Sequence, residues 1–135
     1  MTGKLPVRIY YEDTDAGGVV YYANYLKYLE RGRTEFIRAL GVEQRVLAAE
    51  TGLAFAVRSL SAEYLKPALL DDELVVTTAV EALGRAQVTF AQSVARGEEI
   101  LLTASVRVAC LDLAAGRPAA MPKSLHEQFK QLIAK

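Results

Sequence analysis

The chain contains no tryptophan, a single cysteine and a single histidine. A lone cysteine, Cys110, has no partner for an internal disulfide, which suits a reducing compartment and makes the cytoplasm the expected location. One His and one Cys do not make a zinc site, so no metal is expected. A Ser-His or Cys-His arrangement has only His126 to draw on, in a terminal helical segment far from any other motif. Excess charge is missing too. The 16 Lys and Arg balance 16 Asp and Glu, so no net field pulls the chain toward nucleic acid or a membrane surface. No apolar run reaches the ~18 residues of a membrane span. The opening "MTGKLPVRIYY" lacks the apolar core of a signal peptide. Repeats, low-complexity tracts and Pro/Ser-rich linkers are absent, and 135 residues read as one domain, 1–135.

What is present is strong periodicity. "LPVRIYY" (5–11) alternates as a strand. From Tyr22 to Leu40 the pattern turns helical: Tyr22, Tyr25, Leu29, Gly32, Phe36 and Leu40 recur at spacings of three and four. Gly41 is the expected stop. Gly32 interrupts the apolar stripe at a cost of up to ~1 kcal/mol, which predicts a close approach there. A shorter helix is expected over 42–52. Strands follow over 53–67, 72–83, 86–95 and 100–113, with hairpin turns at Gly84-Arg85 and at "RGEE". Ile100, Leu102, Ala104, Val106, Val108 and Cys110 are predicted to share the inward face of the last strand, which makes Cys110 a core thiol rather than a nucleophile. A terminal helix is expected over 123–135. The fold class is α+β: antiparallel strands whose apolar faces are covered by one long helix.

Between the first strand and that helix lies "YYEDTDAGGVVYYANY", which packs Glu12, Asp13 and Asp15 ahead of Gly17-Gly18. Asp13, Asp15 and Gly18 match three positions of a calcium-binding loop. The closing position, however, is Asn24 instead of a bidentate Glu, and a strand stands where a helix belongs. The glycine spacing fits neither a dinucleotide fingerprint nor a phosphate loop. Asp residues also serve plainly as turn formers and helix caps. Yet one carboxylate suffices for a cap, and the two glycines admit close backbone approach. A carboxylate just before a helix start, with free N–H groups beyond it, can attack or hydrate a carbonyl that those groups polarise. No strong general acid is at hand, so the chemistry favours a good leaving group. A thiol, with a pKa of about 8.5, leaves readily. Thioester hydrolysis fits and needs no cofactor.

The run "YYEDTDAGGVVYYANYLKYLERGRTEF" closely resembles the hotdog-fold acyl-CoA thioesterases of the 4-hydroxybenzoyl-CoA thioesterase family, and "LDDELVVTT" and "MPKSLHEQF" resemble its Tol-Pal-associated branch. The resemblance implies a hotdog fold, a five-stranded antiparallel sheet wrapped around the long central helix. It also implies acyl-CoA as substrate and a homo-oligomer, a dimer or paired dimers, with sheets joined edge to edge and sites at the subunit boundary. An acyl carrier protein or a Tol-Pal setting enters as the family's context. Carried over, Asp15 is the catalytic carboxylate, the Tyr22 backbone N–H polarises the thioester carbonyl, and Gly18 belongs to the same turn. Asp13 shapes the loop. The Tol-Pal branch usually has His where this chain has Tyr22; the backbone role survives that change, an imidazole role does not. CoA phosphates call for cations, and Arg85, Arg58 and Lys66 are the candidates beside the alternative of solvated surface charge. Two other readings stand beside hydrolysis. One is a hotdog dehydratase or isomerase, which normally needs a His near the motif. The other is a non-catalytic acyl-CoA or partner-binding protein, in which Asp15 beside an anionic ligand has no purpose.

Overall fold

The computed structural model describes residues 2–133. Strand β1 (Gly3–Arg8) leads through a 3-10 turn (Tyr11–Asp13) to helices α1 (Asn24–Ala39) and α2 (Gln44–Thr51). Strands β2 (Leu53–Tyr64), β3 (Glu73–Leu83), β4 (Gln87–Arg96) and β5 (Glu99–Asp112) follow, then a two-residue strand β6 (Arg117–Pro118) and helix α3 (Lys123–Leu132). The sheet is antiparallel throughout, in the order β1-β3-β4-β5-β2, with β6 added to β5. This is the hotdog arrangement: five long strands curled around α1. No helix among the described residues is long and apolar enough to cross a membrane.

Helix α1 lies on the sheet through Gly32. A Cβ there would come 2.7 Å from Val76 Cγ1, so the missing side chain is what lets helix and sheet touch. The same spot carries a buried polar seam. Gln92 Nε2 donates to the Leu29 carbonyl and to Thr78 Oγ1, both at 2.9 Å, and Arg33 donates to Gln92 Oε1 at 3.1 Å. The seam divides the apolar interior. On one side Tyr25, Tyr28 and Leu29 pack with Leu74, Val76 and Leu102; on the other Phe36 and Ile37 pack with Val80, Phe90 and Cys110. Helix α3 closes the second side with Leu125 and Phe129, whose ring meets Phe90 edge-on at 5.9 Å.

The element borders depart from the periodicity for local reasons. β1 ends at Arg8, short of the expected Tyr11, because the Asp13 carboxylate captures the Tyr10 N–H. β2 ends at Tyr64, before Lys66-Pro67. In β5 a register shift opposite Val94/Ala95 puts one extra residue into the strand. Leu101 therefore turns inward and Ile100 outward (0% and 41% exposed), against the strict alternation expected for Ile100. The strand β6 forms inside what reads as a loop. The last two residues of the expected terminal helix, 134 and 135, lie outside the described residues.

Candidate active site

The acidic loop is built by its own side chains. Asp13 Oδ2 accepts the Tyr10 N–H at 2.8 Å and folds Tyr11–Asp13 into one tight turn. The Asp13 carbonyl then accepts the Tyr21 N–H at 3.0 Å and the Asn24 side-chain amide at 2.8 Å. One residue thus ties the end of β1 to the start of α1. Between these ties the chain doubles back. Thr14 and Val20 form an antiparallel bridge, and the Asp15 N–H donates to the Val19 carbonyl at 2.9 Å. The Gly18 N–H closes the tip onto the Asp15 carbonyl at 3.1 Å. Gly18 has φ +79° with open space where a Cβ would stand, so the position demands a left-handed backbone, not room.

Asp15 sits at the exposed tip. Its Oδ1 accepts the Gly17 N–H at 2.8 Å, and among the described residues Oδ2 has no partner. One oxygen fixes the carboxylate and the other faces outward. Helix α1 begins at Asn24, two residues later than the periodicity suggests. Tyr22 therefore lies in the turn that feeds the helix. Its N–H has no acceptor among the described residues, as expected of a donor ahead of the first helical bond. Asp15, Gly18 and Tyr22 thus belong to one small unit, a rigid loop running into a helix start.

A second segment, 65–72, lies against this unit. The Val20 N–H donates to the Ala68 carbonyl and the Ala68 N–H to the Tyr25 hydroxyl, both at 2.9 Å. Val19 bridges Leu69, and the Tyr64 hydroxyl donates to the Tyr22 carbonyl at 2.9 Å. Ion pairs hold the outer side of the segment: Arg96 with Asp72 at 2.6 Å, Arg96 with Glu99 at 2.5 Å and Lys66 with Glu99 at 2.7 Å. The paired Lys66, and Arg96 beside it, hold the Glu99 carboxyl below its ordinary value. Burial raises the Tyr25 and Tyr64 phenols. These partners were not legible in the sequence. Tyr25 reads as one more residue of the apolar stripe and Tyr64 as one more strand residue. The available signal was phase: Tyr64 shares the inward face with Leu60 and Ala62 just before the strand ends.

The cationic candidates do not join the unit. Lys66 is near it but its ammonium is paired with Glu99. Arg58 sits at a register irregularity in the middle of β2. Arg85 lies at the far end of the sheet. Arg8 pairs with Glu73 and Tyr64 with Leu102 at the Asp15 end; the eleven residues of β3 separate that end from the Gly84-Arg85 turn, ~35 Å of strand. Cys110 is fully buried, and burial pushes its thiol up. His126 is half-buried on α3, away from the loop. The concavities on the chain include a groove of ≈580 Å³ between α1 and β2, lined by Leu26, Arg33, Val57 and Leu60 among others; Asp15 does not line it.

Comparison with known proteins agrees with this architecture. Residues 10–129 match the model of the thioesterase-like superfamily. The chain is 47% identical over 129 residues to a protein of Haemophilus influenzae described as acyl-CoA thioesterase YbgC, covering 96% of this chain and 95% of the relative. The crystal structure of a probable thioesterase from Bartonella henselae superposes with a TM-score of 0.86 at 35% identity, over 90% of this chain and 100% of the other. A 1,4-dihydroxy-2-naphthoyl-CoA thioesterase from Synechocystis shares the fold, with a TM-score of 0.89 at 19% identity over 98% of both chains. The family match spans the acidic loop, α1 and strands β2 to β5, and on it the chain belongs to the thioesterase-like superfamily.

Proposed function

We propose that the protein is an acyl-CoA thioesterase that hydrolyses small or medium acyl-CoAs to the free acid and CoA. The observation that carries this reading is the Asp15 carboxylate, anchored through one oxygen and, among the described residues, free at the other, in a loop that runs directly into the Tyr22 N–H, which has no acceptor among those residues. In this mechanism the Tyr22 N–H donates to the thioester oxygen and stabilises the negative charge growing there, where an oriented donor contributes most. Asp15 Oδ2 either attacks the carbonyl carbon, giving a mixed anhydride that water then hydrolyses to the free acid, or takes a proton from the attacking water. The thiolate departs without a strong acid to protonate it, and Gly18 supplies the left-handed backbone that turns the loop tip. Two similar proteins are described as an acyl-CoA thioesterase and an acyl-CoA thioester hydrolase.

The working unit is a homo-oligomer. β2 is a twelve-residue edge strand with exposed Val57 and Leu60 on its helix side. A free edge of that length invites a second strand. The other edge, β1, is half as long and carries Pro6, which blunts it. Any contact of Arg58 or Arg85 with CoA phosphates then falls at the site of a neighbouring copy. Thiol release from a panel of acyl-CoAs tests the reading. Native protein should release CoA, and Asp15→Asn should lower kcat by about 10²- to 10⁴-fold. Asp13→Asn should lower stability more than chemistry. Turnover that survives Asp15→Asn overturns the mechanism.

A further inference from the structure

Asp15 and the Tyr22 N–H leave unexplained a phenol that reaches the same turn from the sheet. Tyr64, the last residue of β2, donates its hydroxyl to the Tyr22 carbonyl at 2.9 Å across 42 positions of sequence. Its ring meets the Tyr22 ring edge-on at 6.3 Å and the Tyr25 ring edge-on at 5.5 Å. Tyr64 is 46% exposed as a residue, and its hydroxyl is committed to that carbonyl.

The location of that carbonyl is what matters. Tyr22 joins two peptide planes. The plane before it contains the Tyr22 N–H and the Tyr21 carbonyl, and that carbonyl accepts the Asn24 N–H at 2.9 Å. The plane after it contains the Tyr22 carbonyl, which Tyr64 holds. Holding both planes fixes φ and ψ of Tyr22 together, and so fixes the direction of its N–H. No helical ladder does this, because α1 starts only at Asn24.

We propose that Tyr64 is a positioning residue for thioester hydrolysis: its hydroxyl, bonded to the Tyr22 carbonyl, aims the Tyr22 N–H at the thioester oxygen. The proposal rests on the reading of Asp15 and Tyr22 given above. A donor that meets an oxyanion contributes mainly to the transition state, so misaiming it lowers kcat and spares KM.

Tyr64→Phe removes the hydroxyl and keeps the ring against Tyr22 and Tyr25. It is measured beside the native protein and Asp15→Asn, on the acyl-CoA that the native protein hydrolyses fastest. Removing an oxyanion donor outright costs about 10²–10³ in kcat, so loosening one should cost roughly 5- to 20-fold, with KM within about 2-fold. The urea midpoint should match the native protein. Affinity for a trifluoromethyl-ketone analogue of the acyl-CoA, which forms a tetrahedral oxyanion, should fall with kcat, while inhibition by free CoA stays unchanged. A kcat within about 2-fold of native overturns the proposal. So does a loss in kcat matched by an equal loss of urea midpoint, or one confined to KM. If Asp15→Asn abolishes turnover in the same experiment, the site reading stands and Tyr64 is judged alone. If the native protein is inactive, or Asp15→Asn remains active, both fall together.

Discussion

Tyr28 is 1% exposed on α1, and its hydroxyl has no hydrogen-bond partner among the described residues. Burial, with the Asp13 carboxylate nearby, raises the phenol above its ordinary value. Leaving a buried hydroxyl unsatisfied costs ~1–3 kcal/mol. Tyr28→Phe should therefore raise the urea unfolding free energy at neutral pH by about 1 kcal/mol. The pH dependence has a definite sign. Below about pH 10 the phenol is neutral in both states; above it the unfolded chain ionises first, and native stability falls. The variant lacks that group, so its advantage should widen by up to ~1.4 kcal/mol per pH unit beyond pH 10. Unfolding curves at pH 7 and 10.5 check both parts; a variant less stable than native at pH 7 refutes the reading of an orphan hydroxyl. At this scale the sequence was partly legible. The acidic cluster and paired glycines mark the loop because they sit together in the chain. The tyrosines that support it come from distant positions and carry no local signature.

At the scale of elements, the contact of α1 with the sheet is set by one missing side chain. Gly32 reads from the sequence as a gap in an apolar stripe, and its cause is steric: a Cβ would stand 2.7 Å from Val76 Cγ1 and 3.2 Å from Gln92 Nε2. Gly32→Ala gains up to ~1 kcal/mol of helix propensity and loses ~1–3 kcal/mol through overpacking. The net expectation is destabilisation by about 1–2 kcal/mol, with the Gln92 seam disturbed; chemical denaturation measures it, and a more stable variant contradicts the close contact. Long periodic elements were legible because burial on one face imposes a period on the chain. Leu101 was not, since a one-residue bulge in β5 shifts the phase without altering composition. The early end of β1 was not legible either, because it depends on which donor the Asp13 carboxylate captures.

At the scale of the molecule, β2 offers an unpaired edge and the groove beside α1. With a second copy at that edge, Val57 loses its 51% exposure. Val57→Lys should bury an unpaired charge there and shift sedimentation velocity toward the single-chain species; an unchanged distribution places the boundary elsewhere. The order of the sheet carries one further consequence. β3, β4 and β5 form a meander of consecutive hairpins, the part of the chain whose pairings close the shortest loops. The acidic loop is closed by contacts of far greater sequence separation: Tyr22 with Tyr64, Val20 and Tyr25 with Ala68. Such contacts carry the larger loop-closure entropy. If Asp15 acts as proposed, its loop should form after the β3-β4-β5 meander and come free before it on gentle warming, so that loss of activity should run ahead of loss of strand structure.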